Sequence, residues 1–358
     1  MTPSTLTWAM CRNLSKTIVR RKNTLPIIRR GQIKNAPAPL SNQFDVEISI
    51  PSDLMGRDLV TFDNYRTQDI YSLLWIAVDL KQAESLVKKC EGKSICVISD
   101  NPIRKISLSS AITKLGAATT FINPAEISHE TMEMDLEILG KTVGSSCDVV
   151  VFDSKNFDHT NLEKFATGCT VPVICTESSL LCPIYCLGEL LTLFEHYDYL
   201  RRLVISFLGD SSDQLLNTYA LLYPKVGMHL HYFVEGNMDF NIWNKGIELA
   251  AQYNTEFKQF DNFFDLVYRS HTLSLSRNSL NMHEVTIKDT KEMNLNWTFL
   301  HKDLYKQNNL LPKDLLRSNQ FLVWKNIQNM QWIFMATIIA ITQKYSPAIS
   351  RPNFEGSL

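Results

Sequence analysis

Residues 147–152 read Cys-Asp-Val-Val-Val-Phe, and residues 202–208 read Arg-Leu-Val-Ile-Ser-Phe-Leu. Apolar runs this short and this rich in β-branched residues are strands covered on both faces, as in a parallel sheet. Ser94–Ile98, Val171–Cys175 and Val226–Val234 fit the same description. Helical stretches stand between them. Ile70, Leu73, Leu74, Ala77 and Leu80 repeat at i, i+3, i+4 spacing, and helices are expected over about 107–115, 131–143, 183–195 and 213–223. Ile327, Met330, Phe334, Ile338 and Ile341 mark one stripe of a closing helix, placed over 329–358. Strand–helix alternation on this scale predicts an α/β fold of two doubly wound parallel-sheet domains joined by interdomain helices. Ligands of such sheets sit beyond the carboxyl ends of the strands. The loops after Ile98, Phe152, Cys175 and Leu208 are therefore where function is sought.

Charge divides the chain. Residues 1–44 carry eight of the 36 basic residues and none of the 37 acidic ones. Arg-rich, acid-free sequence with scattered Ser and Thr has the composition of a mitochondrial transit segment and implies the matrix, the alternative being a basic arm for nucleic acid or lipid. The remainder, with 28 basic against 37 acidic residues, is too acidic for a nucleic-acid binder. Mean hydropathy is −0.10, and the longest apolar run, near Trp332–Ile341, is about half of what a bilayer span needs. No membrane role is expected.

The eight cysteines, at 11, 90, 96, 147, 169, 175, 182 and 186, contain no Cys-x-x-Cys pair and mostly lie in apolar stretches. They read as reduced core thiols. Cys182 and Cys186 have a spacing that a metal on one helical face could use, but no His accompanies them, and no metal is expected.

Several segments together resemble the ornithine transcarbamylase family. They are Gly56-Arg57-Asp58-Leu59 with Leu73–Lys81 (LLWIAVDLK), Leu190–Tyr197 (LLTLFEHY), Gly227–Leu230 (GMHL), Trp297–His301 (WTFLH) and Met335–Pro347. They occur in the family's order across about 300 residues. The resemblance implies a carbamoyl-phosphate-type domain over 45–197, completed by the last helix, and an ornithine-type domain over 198–328. It implies a homotrimer with sites at subunit interfaces, neither metal nor organic cofactor, and attack of the ornithine δ-amine on carbamoyl phosphate.

That chemistry needs Arg donors for a phosphate dianion and polar donors at the carbonyl oxygen. The family's Ser-Thr-Arg-Thr-Arg loop falls on Ile103-Arg104-Lys105-Ile106-Ser107. The Arg expected after the buried strand falls on Asp153, and a one-residue shift would give Phe152 or Ser154, neither basic. A carboxylate about 4 Å from a phosphate oxygen costs roughly 4 kcal/mol at an effective dielectric near 20. The family's His-Pro-x-Gln reads Cys182-Pro183-Ile184-Tyr185, and its late Arg falls on Met330. Toward ornithine, Gly-Asn-Asn becomes Ser211-Ser212-Asp213, a good helix cap. The Asp-x-Trp-x-Ser-Met-Gly loop has no counterpart around Ser276–Met282. Of His-Cys-Leu-Pro-Arg only His301 matches, before Lys302-Asp303-Leu304-Tyr305.

The expectation is a folded mitochondrial pseudoenzyme with a regulatory or structural role, forming homotrimers or mixed trimers with an active paralogue. Binding of carbamoyl phosphate and ornithine is in doubt. Two rivals stay open. A working ornithine carbamoyltransferase needs Arg104, Lys105, Arg269, Arg277 and Lys302 to converge as a replacement anion site. A binding module for an apolar ligand would use Ile103, Ile106, Tyr185 and Met330.

Overall fold

The computed structural model describes residues 51–356, apart from 84–87, 131–134, 277–284, 287 and 303–312. The basic segment 1–44, Arg277, the rest of the 277–282 stretch and Asp303–Tyr305 lie outside the described residues.

In chain order the first half holds α1 (Thr67–Gln82), β1 (Ser94–Ser99), α2 (Pro102–Leu115), β2 (Ala118–Ile122), α3 (Pro124–Glu130), α4 (Leu136–Gly144), β3 (Val149–Asp153), α5 (His159–Gly168), β4 (Val173–Glu177) and α6 (Pro183–Tyr197). The second holds β5 (Val204–Asp210), α7 (Gln214–Leu222), β6 (His229–Glu235), α8 (Phe240–Tyr253), β7 (Phe257–Gln259), α9 (Phe263–Val267), β8 (Thr272–Leu275), β9 (Thr298–His301), α10 (Lys313–Leu316) and α11 (Val323–Thr342).

Two parallel sheets result, in the orders β2-β1-β3-β4 and β7-β6-β5-β8-β9. In the first, the chain builds outward from β1 to β2 and then returns to the other side of β1 with β3. The second reverses in the same way between β5 and β8. Each sheet therefore has a switch point, which opens a crevice at the carboxyl ends of its central strands. Helices α1, α6 and α11 pack into one apolar core with both sheets, around Leu74, Leu187, Leu190, Phe207 and Ile338.

Local sequence explains the boundaries. Asn101 accepts hydrogen bonds from the Ile103 and Arg104 amides, and Pro102 opens α2. This helix thus begins five residues before the start at 107 that the apolar pattern gave. Gly116, at φ 78°, closes it. The strand expected from Val226 begins at His229, because Pro224–Val226 form a 3-10 turn ended by Gly227 at φ 76°. The closing helix runs over 323–342 rather than 329–358. Beyond it the tail is irregular and pinned to α1: Asp79 accepts hydrogen bonds from the Ala348 and Ile349 amides and from the Tyr345 hydroxyl. Phe354 stacks on Tyr71 at 5.0 Å.

Candidate functional site

Strands β1, β3 and β4 end on polar residues that no apolar run contains. Register sets Ser99 beside Asp153, and Asp153 beside Glu177 across an irregular step. All three are buried, Asp153 completely. An isolated carboxylate in such a place would cost several kcal/mol. Here every one of these oxygens meets a donor. The Ser99 hydroxyl donates to Asp153 Oδ2 at 2.8 Å, and the Thr176 hydroxyl to Oδ1 at 2.6 Å.

Two cations complete the cluster. Arg104, on the first turn of α2, sends Nη1 to Asp153 Oδ1 at 2.8 Å and Nη2 to Glu177 Oε2. Lys302 comes from the other sheet, just beyond β9, and its Nζ lies 2.7 Å from Glu177 Oε1 and 2.8 Å from Gln214 Oε1. Gln214 in turn donates to the Ser178 carbonyl at 2.7 Å. Burial opposes ionisation of Glu177, but the Arg104 and Lys302 charges together outweigh it and hold the carboxyl at about 2. Burial likewise opposes the Lys302 charge, while Cys182, Glu177 and Asp213 push its pKa above the usual lysine range. The result is an internally neutralised array of two carboxylates and two cations.

Little space is left beside it. A cavity of about 30 Å³ is bounded by Arg104, Asp153, Thr176, Ile184, Met330 and Phe334. That holds a few waters at most.

The remaining candidate positions scatter. Ile103 and Ile106 face outward, 55% and 72% exposed. They and the buried Tyr185 therefore do not line one apolar cleft, which corrects the grouping of these residues with Met330. Lys105 also points away, its Nζ 5.9 Å from the Phe121 ring, because successive helical residues diverge by about 100°. Arg269 precedes β8, at the opposite end of its sheet from the site, and stacks on Tyr268. Of the described members of the basic set, only Arg104 and Lys302 meet. Ser107 accepts a hydrogen bond from Gln331 at 3.2 Å.

Cys182 is fully buried before α6, its Sγ 3.8 Å from Cys186 Sγ and 3.7 Å from the Thr218 hydroxyl. Burial raises both thiols, and Cys182 ends below the usual range because Cys186 and Lys302 favour its thiolate. Among the described residues no group of three His, Cys, Asp or Glu side chains could hold a metal ion.

Tyr185 lies under Lys302, with Nζ 5.8 Å from the ring centre. Met330 packs against Gly188. On the ornithine side, Asp213 caps α7 through the Leu215 amide at 2.8 Å, and Ser212 is exposed and donates to Asp210 at 2.7 Å. Ser276 is buried and accepts from the Asp210 amide at 3.3 Å. His301 is buried and donates through Nδ1 to the Lys302 carbonyl. Sequence reasoning missed Glu177. Its signal was an acid two residues beyond the apolar strand end Cys175, in a loop already marked as facing the site.

Residues 57–195 match the family described as "Aspartate/ornithine carbamoyltransferase, carbamoyl-P binding domain". The chain is 26% identical over 327 residues to the mitochondrial ornithine carbamoyltransferase of Aquarana catesbeiana, spanning 85% of this chain and 91% of the relative. It is also 26% identical over 323 residues to the mitochondrial ornithine transcarbamylase of Gallus gallus, spanning 84% and 90%. The fold is that of the Pyrococcus furiosus ornithine carbamoyltransferase, with a TM-score of 0.72 at 18% identity over 81% of this chain and 98% of the other. The Trypanosoma cruzi aspartate transcarbamoylase, solved with carbamoyl aspartate and phosphate, gives 0.71 at 14% identity, over 82% and 99%.

Proposed function

From a chain that belongs to the aspartate/ornithine carbamoyltransferase family, we infer a protein that keeps the family's scaffold and has given up its transcarbamylation. One observation carries this reading: the place where a carbamoyl-phosphate dianion would be held is filled by Asp153 and Glu177, paired to Arg104 and Lys302. A dianion brought there finds both cations already neutralised by buried carboxylates, and the cavity beside them holds a few waters at most. Cys182, Tyr185 and Met330 stand at the positions of the carbamoyl contacts. None offers the cationic or imidazole donor that a developing oxyanion requires.

With catalysis gone, the role falls to assembly. The basic N-terminal segment and the mitochondrial names of two relatives support a location in the mitochondrial matrix. There the protein forms trimers with itself or with an active paralogue, altering sites that the family builds across subunit interfaces.

A working ornithine carbamoyltransferase is the competing reading, favoured by similarity across most of the chain and by Arg104 at the start of α2. Citrulline formation from carbamoyl phosphate and ornithine by purified protein decides between them. The expected result is no turnover and a melting temperature unmoved by carbamoyl phosphate. Turnover that survives removal of contaminating host enzyme overturns the reading.

A further inference from the structure

Two charged pairs meet where the two sheets face each other, and their composition says what the site is built to hold. Arg104 and Lys302 are cations whose side chains are 15% and 7% exposed. They approach from α2 and from the end of β9. Around them stand the hydroxyls of Ser99 and Thr176. Apart from the carboxylates, this is a donor set for an anion carrying two charges and several oxygens. The anion present is the protein's own: Asp153 and Glu177 supply two charges spread over four oxygens, and all four are engaged.

We propose that Asp153 and Glu177 are an intramolecular ligand of an oxyanion site formed by Arg104, Lys302, Ser99 and Thr176, and that removing their carboxylates opens this site to tetrahedral oxyanions of the phosphate class. The inference deepens the non-catalytic reading above and rests on it, since it explains why the site is closed. It also explains why buried cations persist in a site without substrate. Each now has a permanent partner, and Glu177 bridges the two, joining the first sheet to the second through Lys302 and Gln214. Carboxylates tethered at strand ends have no association entropy to lose, so free phosphate cannot compete with them.

The test uses the full-length chain, the double variant D153A/E177A, which removes both carboxylates and vacates their volume, and that variant with K302M added. Inorganic phosphate is titrated at constant ionic strength, with chloride as the balancing salt, by calorimetry and thermal melting. The double variant is expected to bind phosphate saturably, about tenfold or more tightly than the unaltered chain. Its melting temperature rises with phosphate, and K302M abolishes both effects. If the double variant does not melt cooperatively in chloride, phosphate must restore the transition, and must fail to do so when K302M is present. A double variant indifferent to phosphate, or an unaltered chain that binds it equally well, overturns the proposal. Citrulline formation by the unaltered chain sinks the non-catalytic reading. Absence of a phosphate gain in a chain that makes no citrulline sinks this inference alone.

Discussion

Lys302 Nζ lies 2.7 Å from Glu177 Oε1, with the two side chains 7% and 4% exposed and rooted in different sheets. Removing one member of such a pair strands a charge in the interior, whereas replacing both with apolar groups of similar volume removes the problem. K302M is therefore expected to destabilise the fold by about 3 kcal/mol, and E177L by at least as much because Lys302 loses its carboxylate and Arg104 keeps only Asp153. The double variant E177L/K302M is expected to recover at least about 1 kcal/mol relative to the sum of the two. Urea midpoints at pH 7 measure all three, and strict additivity refutes the coupling.

Two buried carboxyls give stability opposite dependences on pH. Glu177 is held at about 2, below its unfolded value near 4.5. Its contribution is present above pH 4.5 and is lost as pH falls toward 2. Glu189, fully buried on α6, is pushed up to about 8 by burial, although the Tyr219 and Tyr223 hydroxyls donate to Oε2 at 2.6 and 2.9 Å. A raised carboxyl works the other way: its contribution is intact below pH 4.5 and declines as pH rises through 8, by a few kcal/mol. E189Q keeps an acceptor for both tyrosines and is expected to flatten the decline between pH 5 and 8. A melt series on E189Q that falls as steeply as the unaltered chain counts against a neutral Glu189.

The strands that the sequence made legible are the ones buried on both faces. Val149–Asp153 and Val204–Asp210 are buried along almost their whole length and read as continuous apolar runs. Ala118–Ile122 lies on an edge with Ala118, Thr120 and Phe121 exposed, so no apolar run announces it. Phe257–Gln259 is a three-residue edge strand. Thr272–Leu275 and Thr298–His301 are buried but only four residues long, too short for a period to show.

The site was half legible. Asp153 could be placed at a strand end, and Arg104 near the start of a helix, from local pattern. Their pairing could not, because they are 49 residues apart and meet only through the sheet register. Lys302 and Glu177 come from different sheets, so sequence held no trace of their contact. Without that contact Asp153 reads as a simple charge reversal. With it, Asp153 becomes one half of a substitute ligand.

Gly188 allows α6 and α11 to approach closely beside the site. A Cβ there would lie 2.8 Å from Asn326 Oδ1, 2.8 Å from Met330 Cγ and 3.3 Å from Met330 Cα. G188A gains helix propensity of about 1 kcal/mol, but the overlap includes backbone and cannot be relieved by side-chain motion alone. A net destabilisation of about 1–2 kcal/mol is expected. G188A/M330A should cost less than the two single changes together, as read by thermal unfolding. An additive pair shows that Met330 is not the neighbour that matters.

Cys182 separates thiolate character from access. Lys302 and Cys186 favour its thiolate, which is the electronic condition for a nucleophile. Access is the other condition, and Cys182 has none: it is 0% exposed, like Cys175 and Cys186. Cys147 and Cys169 are partly exposed, and burial raises both thiols above the ordinary range. If exposure governs, a small alkylating agent at pH 8 labels Cys147 and Cys169 first among the described cysteines. Cys182 then reacts only at the rate at which the fold opens, on the order of a hundredfold or more slower. If thiolate character governs, the order inverts. Mass spectrometry of peptides after timed quenching separates the two. Early labelling at Cys182 would mean that reagents reach the Lys302–Glu177 cluster from solvent, and a substrate could then follow the same path. Late labelling, with the Cys182 rate tracking global unfolding in urea, would mean that the site is sealed in the folded chain.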